Sequence, residues 1–416
     1  MIDRQQLLER FLRYVAMNTT ADEAARTYPS SAGQIELGQL LVRELQSLGI
    51  EDVHQDTHGL VLATLDSNVD RDVPVVAFNA HLDTSPETTG ANVRPRVLQY
   101  QGGDIPLSND VNQVIRRADN PELESLVGCT LITTDGTTLL GADDKAGVAI
   151  IMQAVTALVE HPELPHGSLR VLFTCDEEIG HGIDHVDIEQ LGADVAYTLD
   201  GEGADSIDVE TFSADLAHVT FRGVNIHPSI AKGRMVNAVR AAGRFLDCLP
   251  RDTLAPETSA DREGFLHPYV VVGGVAEVKM KVLLRDFETA TLSRHARLLE
   301  EIARRVEGEI DGIHIDIDIQ TQYRNMADGL REEPRAVQYA EEAHRRLGRT
   351  PRRTIIRGGT DGSMLTEKGL PTPNLASGQH TPHSPLEWAC LEQMQQAAEL
   401  LIALVAVWAE KGQDAT

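Results

Sequence analysis

Hydrophobic positions along the chain fall into two kinds of pattern. Short, nearly continuous apolar runs occur at residues 60–65, 74–79, 169–174 and 195–199. Between them lie longer stretches with apolar residues at helical spacing, at 34–48, 145–160, 334–346 and 386–410. The N-terminal segment has Leu7, Leu8, Phe11 and Val15 on one helical face. Apolar strands without polar alternation, separated by helices, predict a sheet buried on both faces in an α/β domain. From about residue 212 to 324 the pattern changes. Residues 314–319 (HIDIDI) and 219–221 (VTF) alternate, which predicts an antiparallel sheet with one wet face. Helical stretches at 235–248 and 290–305 are placed to cover its other face. The reading is a small α+β domain at 212–324 inserted into an α/β domain formed by 1–211 and 325–416. Residues 83–131 are rich in Gly, Pro, Asn and Asp and read as loop over the site.

Length supports two domains, since 416 residues exceed what one core holds. The net charge of −27 argues against nucleic acid or an anionic membrane surface as partner. No apolar run approaches the roughly 18 residues of a membrane span, and the N-terminus lacks the apolar core of a secretory signal. Four widely spaced cysteines with no C-x-x-C indicate neither a disulfide framework nor a thiolate zinc site, and fit a reducing cytoplasm.

The candidate chemistry sits where apolar strands end. The run 74–80 leads into His81-Leu82-Asp83. In extended backbone residues 81 and 83 point the same way, so an imidazole can ligate metal while a carboxylate orients it. A solvated strand end is the bland alternative. Asp143 and Asp144 open the helix 145–160 within GADDKAG. Acids there are favoured by the helix dipole alone, yet either could bridge two cations. Run 169–174 is followed by Cys175-Asp176-Glu177-Glu178. Acids after a buried strand are costly unless solvated, paired or metal-bound. One Glu could ligate while the other takes a proton from water. Cys175 reads as a small buried residue before a soft ligand. Run 195–199 ends in Asp200, and His380 and His383 offer a late imidazole. Open α/β sheets bind ligands at the carboxyl ends of their strands, and three strands each delivering an acid or His there point to one site.

This ordered set, H-x-D, GADDKAG, DEE-x-G, a later Asp and a late His, resembles the M20 metallopeptidases. The similarity runs through nearly the whole chain, including PSSAGQ at 29–34, LITTDG at 131–136, AYTLDG at 196–201, NIHP at 225–228, MVNA at 235–238, LRDF at 284–287 and RGGTDG at 357–362. The resemblance implies a zinc-peptidase-like catalytic domain, a mixed sheet flanked by helices. It also implies an inserted lid domain with a four-stranded antiparallel sheet and two helices. It implies two Zn2+ per subunit, with Co2+ or Mn2+ as substitutes. His81 and Asp200 would hold one ion, Glu178 and His383 the other, and Asp143, followed by a cis peptide, would bridge them. Glu177 would be the general base and Asp83 the residue orienting His81. His227 would reach the scissile carbonyl from the lid, and Arg285, Asn237 and Arg357 would contact substrate. A planar Arg357 fork suits a carboxylate, with a structural ion pair as the alternative. The implied activity is a cytoplasmic aminopeptidase acting on tripeptides, as monomer or homodimer. The loop before His383 departs from the family version, which carries an aromatic residue.

Overall fold

The computed structural model describes residues 2–107 and 113–411. Contacts divide the chain into two compact units: Met1–Val209 with Met326–Thr354 and Thr360–Thr416, and Glu210–Asn325 with Ile355–Gly359.

The first unit is built on a mixed sheet. Its order from one edge is Val53–Gln55, Val61–Leu65, Leu169–Thr174, Val76–His81, Val195–Glu202, Asn374–His380, Trp388–Cys390, Thr130–Thr133 and Arg96–Gln99. Ser206–Thr211 and Arg352–Ile356 complete eleven strands. The four central strands, from Leu169–Thr174 to Asn374–His380, are mutually parallel, and the flanking pairs are antiparallel. Val76–His81 is buried along its whole length, which explains its largely apolar sequence. One face packs against the helix Ala142–Glu160, itself covered by Arg4–Val15 and Leu391–Lys411. The other face contributes Ala77, Leu172 and Ala196 to a cluster with Ile183, Leu191, Leu365 and Leu370. The final helix is tied to the sheet by Trp408, whose indole N–H donates to the Tyr197 hydroxyl at 2.8 Å. That hydroxyl donates in turn to the Ala336 carbonyl.

Two expectations need correction. The last helix starts at Leu391, not 386, because Trp388–Cys390 pairs as a strand with Thr130–Thr133. Within 83–131, strands Arg96–Gln99, Ile105–Pro106 and Val114–Ile115 form where loop is predicted; at four, two and two residues they are too short to display a period. Residues 108–112 of that stretch lie outside the described residues.

The second unit has a four-stranded antiparallel sheet in the order Phe265–Gly273, Glu277–Asp286, Ser213–Arg222, His314–Tyr323. Helices Ala238–Cys248 and Thr289–Glu309 cover one face over a core including Phe221, Phe245, Met280, Leu299 and Val306. Glu277–Asp286 alternates exposed and buried along most of its length, as expected for a sheet wet on one side. No helix among the described residues is long and apolar enough to cross a membrane.

Candidate active site

Three neighbouring parallel strands, Val76–His81, Leu169–Thr174 and Val195–Glu202, run in one direction and bring their carboxyl ends to one edge. Each delivers part of the site there. At the end of the first, His81 turns its Nε2 to within 3.0 Å of Asp143 Oδ1 and 3.8 Å of Asp200 Oδ1. Its other nitrogen, Nδ1, lies 3.4 Å from Asp83 Oδ1 and 3.2 Å from the Asp83 carbonyl. Asp83 also accepts the backbone N–H groups of Glu177 and Glu178, at 3.1 and 3.0 Å. One buried carboxylate therefore sets both the imidazole and the turn that follows the second strand.

Asp143 is the shared element. Its Oδ1 faces His81, while its Oδ2 lies 3.2 Å from His383 Nε2, which is 2.9 Å from Glu178 Oε2. Five side chains from distant parts of the chain thus form two trios joined by one carboxylate. The Asp143–Asp144 peptide is cis. Asp144 accepts the N–H of His81 at 3.2 Å and of Gly147 at 3.1 Å, and its carboxylate also lies within 4.8 Å of ligand atoms of His81 and Asp200. Gly147 is needed here, since a Cβ would meet the Leu199 carbonyl oxygen at 2.5 Å. His380 is likewise committed elsewhere, stacked on Trp388 with its Nε2 2.7 Å from Gln393. His383 has φ +60, a left-handed conformation that non-glycine residues adopt rarely, and its carbonyl accepts from Thr88 at 2.7 Å. The neighbouring Cys175 and Asp176 point away. The thiol faces the Gly59 carbonyl, and Asp176 is held by Ser30 and Gln34. Glu177 lies beside the trios, its Oε2 4.0 Å from His81 Nε2.

The electrostatics are those of crowded buried anions. Burial, reinforced by neighbouring carboxylates, pushes Asp200 up to about 7 and Glu178 up to about 8, and raises Glu177 well above the carboxylate range. Burial opposes charge on His383, but its bonds to Asp143 and Glu178 win and push it up to about 12. His81 is raised in the same way by Asp143, Asp200 and Asp83. Two imidazoles do not offset this many carboxylates. Divalent cations fit the deficit: the donors are two imidazoles and three carboxylates, and Glu178 Oε1 is buried without a hydrogen-bond partner. Ligands about 2.0–2.2 Å from one tetrahedral ion stand roughly 3.3 Å apart. The separations of 2.9 to 3.8 Å within the trios bracket that spacing.

Glu387 belongs to the site without touching the trios' ligand atoms. Its Oε2 accepts the N–H groups of Leu140 and Gly141, and its Oε1 that of Asp143 at 3.0 Å. Sequence marks it only as an acid four residues after His383; its burial and its partners some 245 residues away leave no local signal. Glu387→Gln turns an amide NH2 toward one of these buried donors, and leaving one unsatisfied costs about 1–3 kcal/mol. The expected result is a fall in metal affinity of about 10–100-fold with all five trio residues intact, measured by competition with a chromophoric chelator. Unchanged affinity would show that Glu387 does not position Asp143.

The other sequence-predicted residues lie in the second unit and have local partners there. His227 is exposed, its Nδ1 2.7 Å from the Ser229 hydroxyl. Asn237 caps the helix Ala238–Cys248, accepting from Val239 and Arg240. Arg285 is buried, donates to the Asp215 and Leu284 carbonyls and stacks over Tyr323. The Arg357 fork donates to the carbonyls of Asp261 and Glu263 and to the Ser259 hydroxyl, and lies over Phe212 and Phe265. Among the described residues, no carboxylate side chain pairs with Arg357.

Comparison with known proteins identifies the family of the chain. Residues 134–407 match the model of peptidase family M20/M25/M40. Peptidase T of Geobacillus kaustophilus is 44% identical over 409 residues, covering 98% of this chain and 99% of the relative. The crystal structure of aminopeptidase PepT from Bacillus cereus superposes with a TM-score of 0.76 at 26% identity, over 98% of this chain and 99% of that one. A tripeptidase from Staphylococcus aureus shares the fold, with a TM-score of 0.77 at 23% identity over 99% and 100% of the two chains. The chain belongs to the M20/M25/M40 peptidase family, among the members that bear the name peptidase T.

Proposed function

We propose that this chain is a cytoplasmic aminopeptidase that removes the N-terminal residue of tripeptides at a centre of two divalent ions, zinc in the first instance. The observation that carries the reading is the Asp143 carboxylate, with one oxygen toward His81 and Asp200 and the other toward His383 and Glu178. His81, Asp200 and Asp143 would hold one ion; His383, Glu178 and Asp143 would hold the other. Imidazole nitrogen in both trios favours zinc over magnesium or calcium, with cobalt and manganese able to substitute. Divalent ions in such a setting supply Lewis acidity toward a peptide carbonyl and lower the pKa of water.

The chain's own groups do the rest. Glu177 takes the proton from the attacking water and delivers it to the departing amine. Asp83 keeps Glu177 and Glu178 in place through their N–H groups and holds the ring orientation of His81. We assign His227 to the carbonyl oxygen as it gains charge; with Nδ1 engaged by Ser229, Nε2 is the donor. Arg285, Asn237 and Arg357 remain candidates for substrate contact, and the segment 212–324 for the lid of the catalytic domain formed by 1–211 and 325–416. The PepT and tripeptidase relatives support the substrate class.

A panel of di-, tri- and tetrapeptides with free and blocked amino ends tests this. Release of the N-terminal residue from free-amino tripeptides, silenced by a chelator and restored by Zn2+, is expected. Release from the carboxyl end, or cleavage confined to dipeptides, would replace the reading with another peptidase specificity. Metal binding without turnover of any peptide would make the chain a binding protein.

A further inference from the structure

The described residues hold a second group of metal-ligating side chains, outside the site above: Cys129, Cys390 and Glu392. Spacing alone gives no hint of it, since the two cysteines are far apart in the chain and neither belongs to a C-x-x-C. The sheet brings them together. Cys390 pairs opposite Leu131, so Cys129, two residues from Leu131, is its diagonal neighbour on the same face. Glu392 follows in the first turn of the final helix. One ligand atom from each lies within 4.8 Å of the other two, and Cys390 Sγ is 3.7 Å from Glu392 Oε2.

We propose that Cys129, Cys390 and Glu392 form a third cation site in this chain, selective for one soft divalent ion such as Zn2+ or Cd2+. Ligands about 2.3 Å (sulfur) and 2.0–2.2 Å (oxygen) from a tetrahedral ion stand roughly 3.5 Å apart, so closure on the ion takes only a small side-chain movement. The carboxylate is already oriented. Glu392 Oε2 accepts the Thr130 N–H at 2.8 Å, and Oε1 meets Arg4, which also donates to the Thr130 hydroxyl. Such support around a ligand raises metal affinity. Charge balances as well: two thiolates and a carboxylate against the Arg4 guanidinium leave two negative charges, which one divalent ion cancels. Burial raises the thiol of Cys129 and pushes that of Cys390 up to about 12. Both are therefore poor nucleophiles, which disfavours a redox pair, and an ion entering the site displaces their protons. An ion here joins the strand Thr130–Thr133 to the start of the final helix, and through Arg4 to the first helix.

The test titrates the full-length protein, its other site preloaded with Zn2+ and its thiols reduced by a phosphine, with CdCl2 alone. The readout is the ultraviolet charge-transfer absorption of cadmium–thiolate bonds, to which imidazole and carboxylate ligands contribute nothing. Expected are saturation at one Cd2+ per chain, reversal by excess Zn2+, loss of the band in Cys129→Ser and in Cys390→Ser, and affinity weakened about tenfold or more in Glu392→Gln. No band at equimolar Cd2+ in the unmodified protein would overturn the proposal, whatever the variants do. A band that survives in the Cys129→Ser, Cys390→Ser double variant would overturn it too, since Cys175 or Cys248 would then be its source.

Discussion

Glu177→Ala is expected to lower kcat on a tripeptide by about 10³-fold or more, within the range of a lost general base, while two metal ions per chain stay bound. The separation of the two effects follows from where Glu177 sits. Its carboxylate lies beside both trios but completes neither: Asp143 Oδ1 is nearer to His81 Nε2, at 3.0 Å, than Glu177 Oε2 is, at 4.0 Å. Its backbone is fixed by Asp83, not by its own side chain, so truncation leaves the turn in place. Glu177→Gln keeps shape and hydrogen bonding but cannot accept a proton, so it should fall nearly as far as Glu177→Ala. Steady-state kinetics and metal content on the same preparations decide. Near-normal turnover would remove Glu177 from the mechanism. Loss of metal in parallel with activity would make it a ligand instead.

Asp143→Ala is expected to strip the centre of both ions, where His383→Ala strips one. Asp143 is the third member of each trio, and without it His81 keeps only Asp200 and His383 keeps only Glu178. Two-ligand remnants bind weakly, and affinity at both positions should drop by more than about 100-fold, beyond the effect of losing a residue that only supports a ligand. Turnover should fall to background. Metal stoichiometry after dialysis is the direct measure. The stabilisation that added Zn2+ confers on melting is the second, since an ion that binds only the folded chain raises Tm by an amount that grows with the logarithm of its affinity. If Asp143→Ala kept one tightly bound ion, the shared-carboxylate geometry would be wrong for the loaded protein.

The parts of the fold that could be read locally are those in which burial repeats with a simple period. Val76–His81, Leu169–Thr174 and Val195–Glu202 coincide with nearly continuous apolar runs because both faces of those strands are covered. Glu277–Asp286 shows the converse: it alternates in burial, but Val282, Leu283 and Leu284 blur the alternation toward its end, so its sequence displays no clear period. Trp388–Cys390 reads as part of the last helix for a related reason, since three residues are too few to display a period.

Within the site the same limit recurs. The pattern of residues places acids at the ends of buried strands, because a charged side chain after an apolar run has to emerge at an edge. It determines the order of the pieces, the family they match and the chemistry of imidazole with carboxylate. It does not choose between Asp143 and Asp144, or between His380 and His383, by residue type alone. What differs between the alternatives is tertiary: backbone N–H groups engage Asp144, the Trp388 ring stacks on His380, and a left-handed turn presents His383. Nor does sequence set Glu387 under the Asp143 loop or Cys129 beside Cys390. These depend on which strands become neighbours, a property of the assembled sheet. Local periodicity records how deeply a residue is buried, and only the folded chain records what it is buried against.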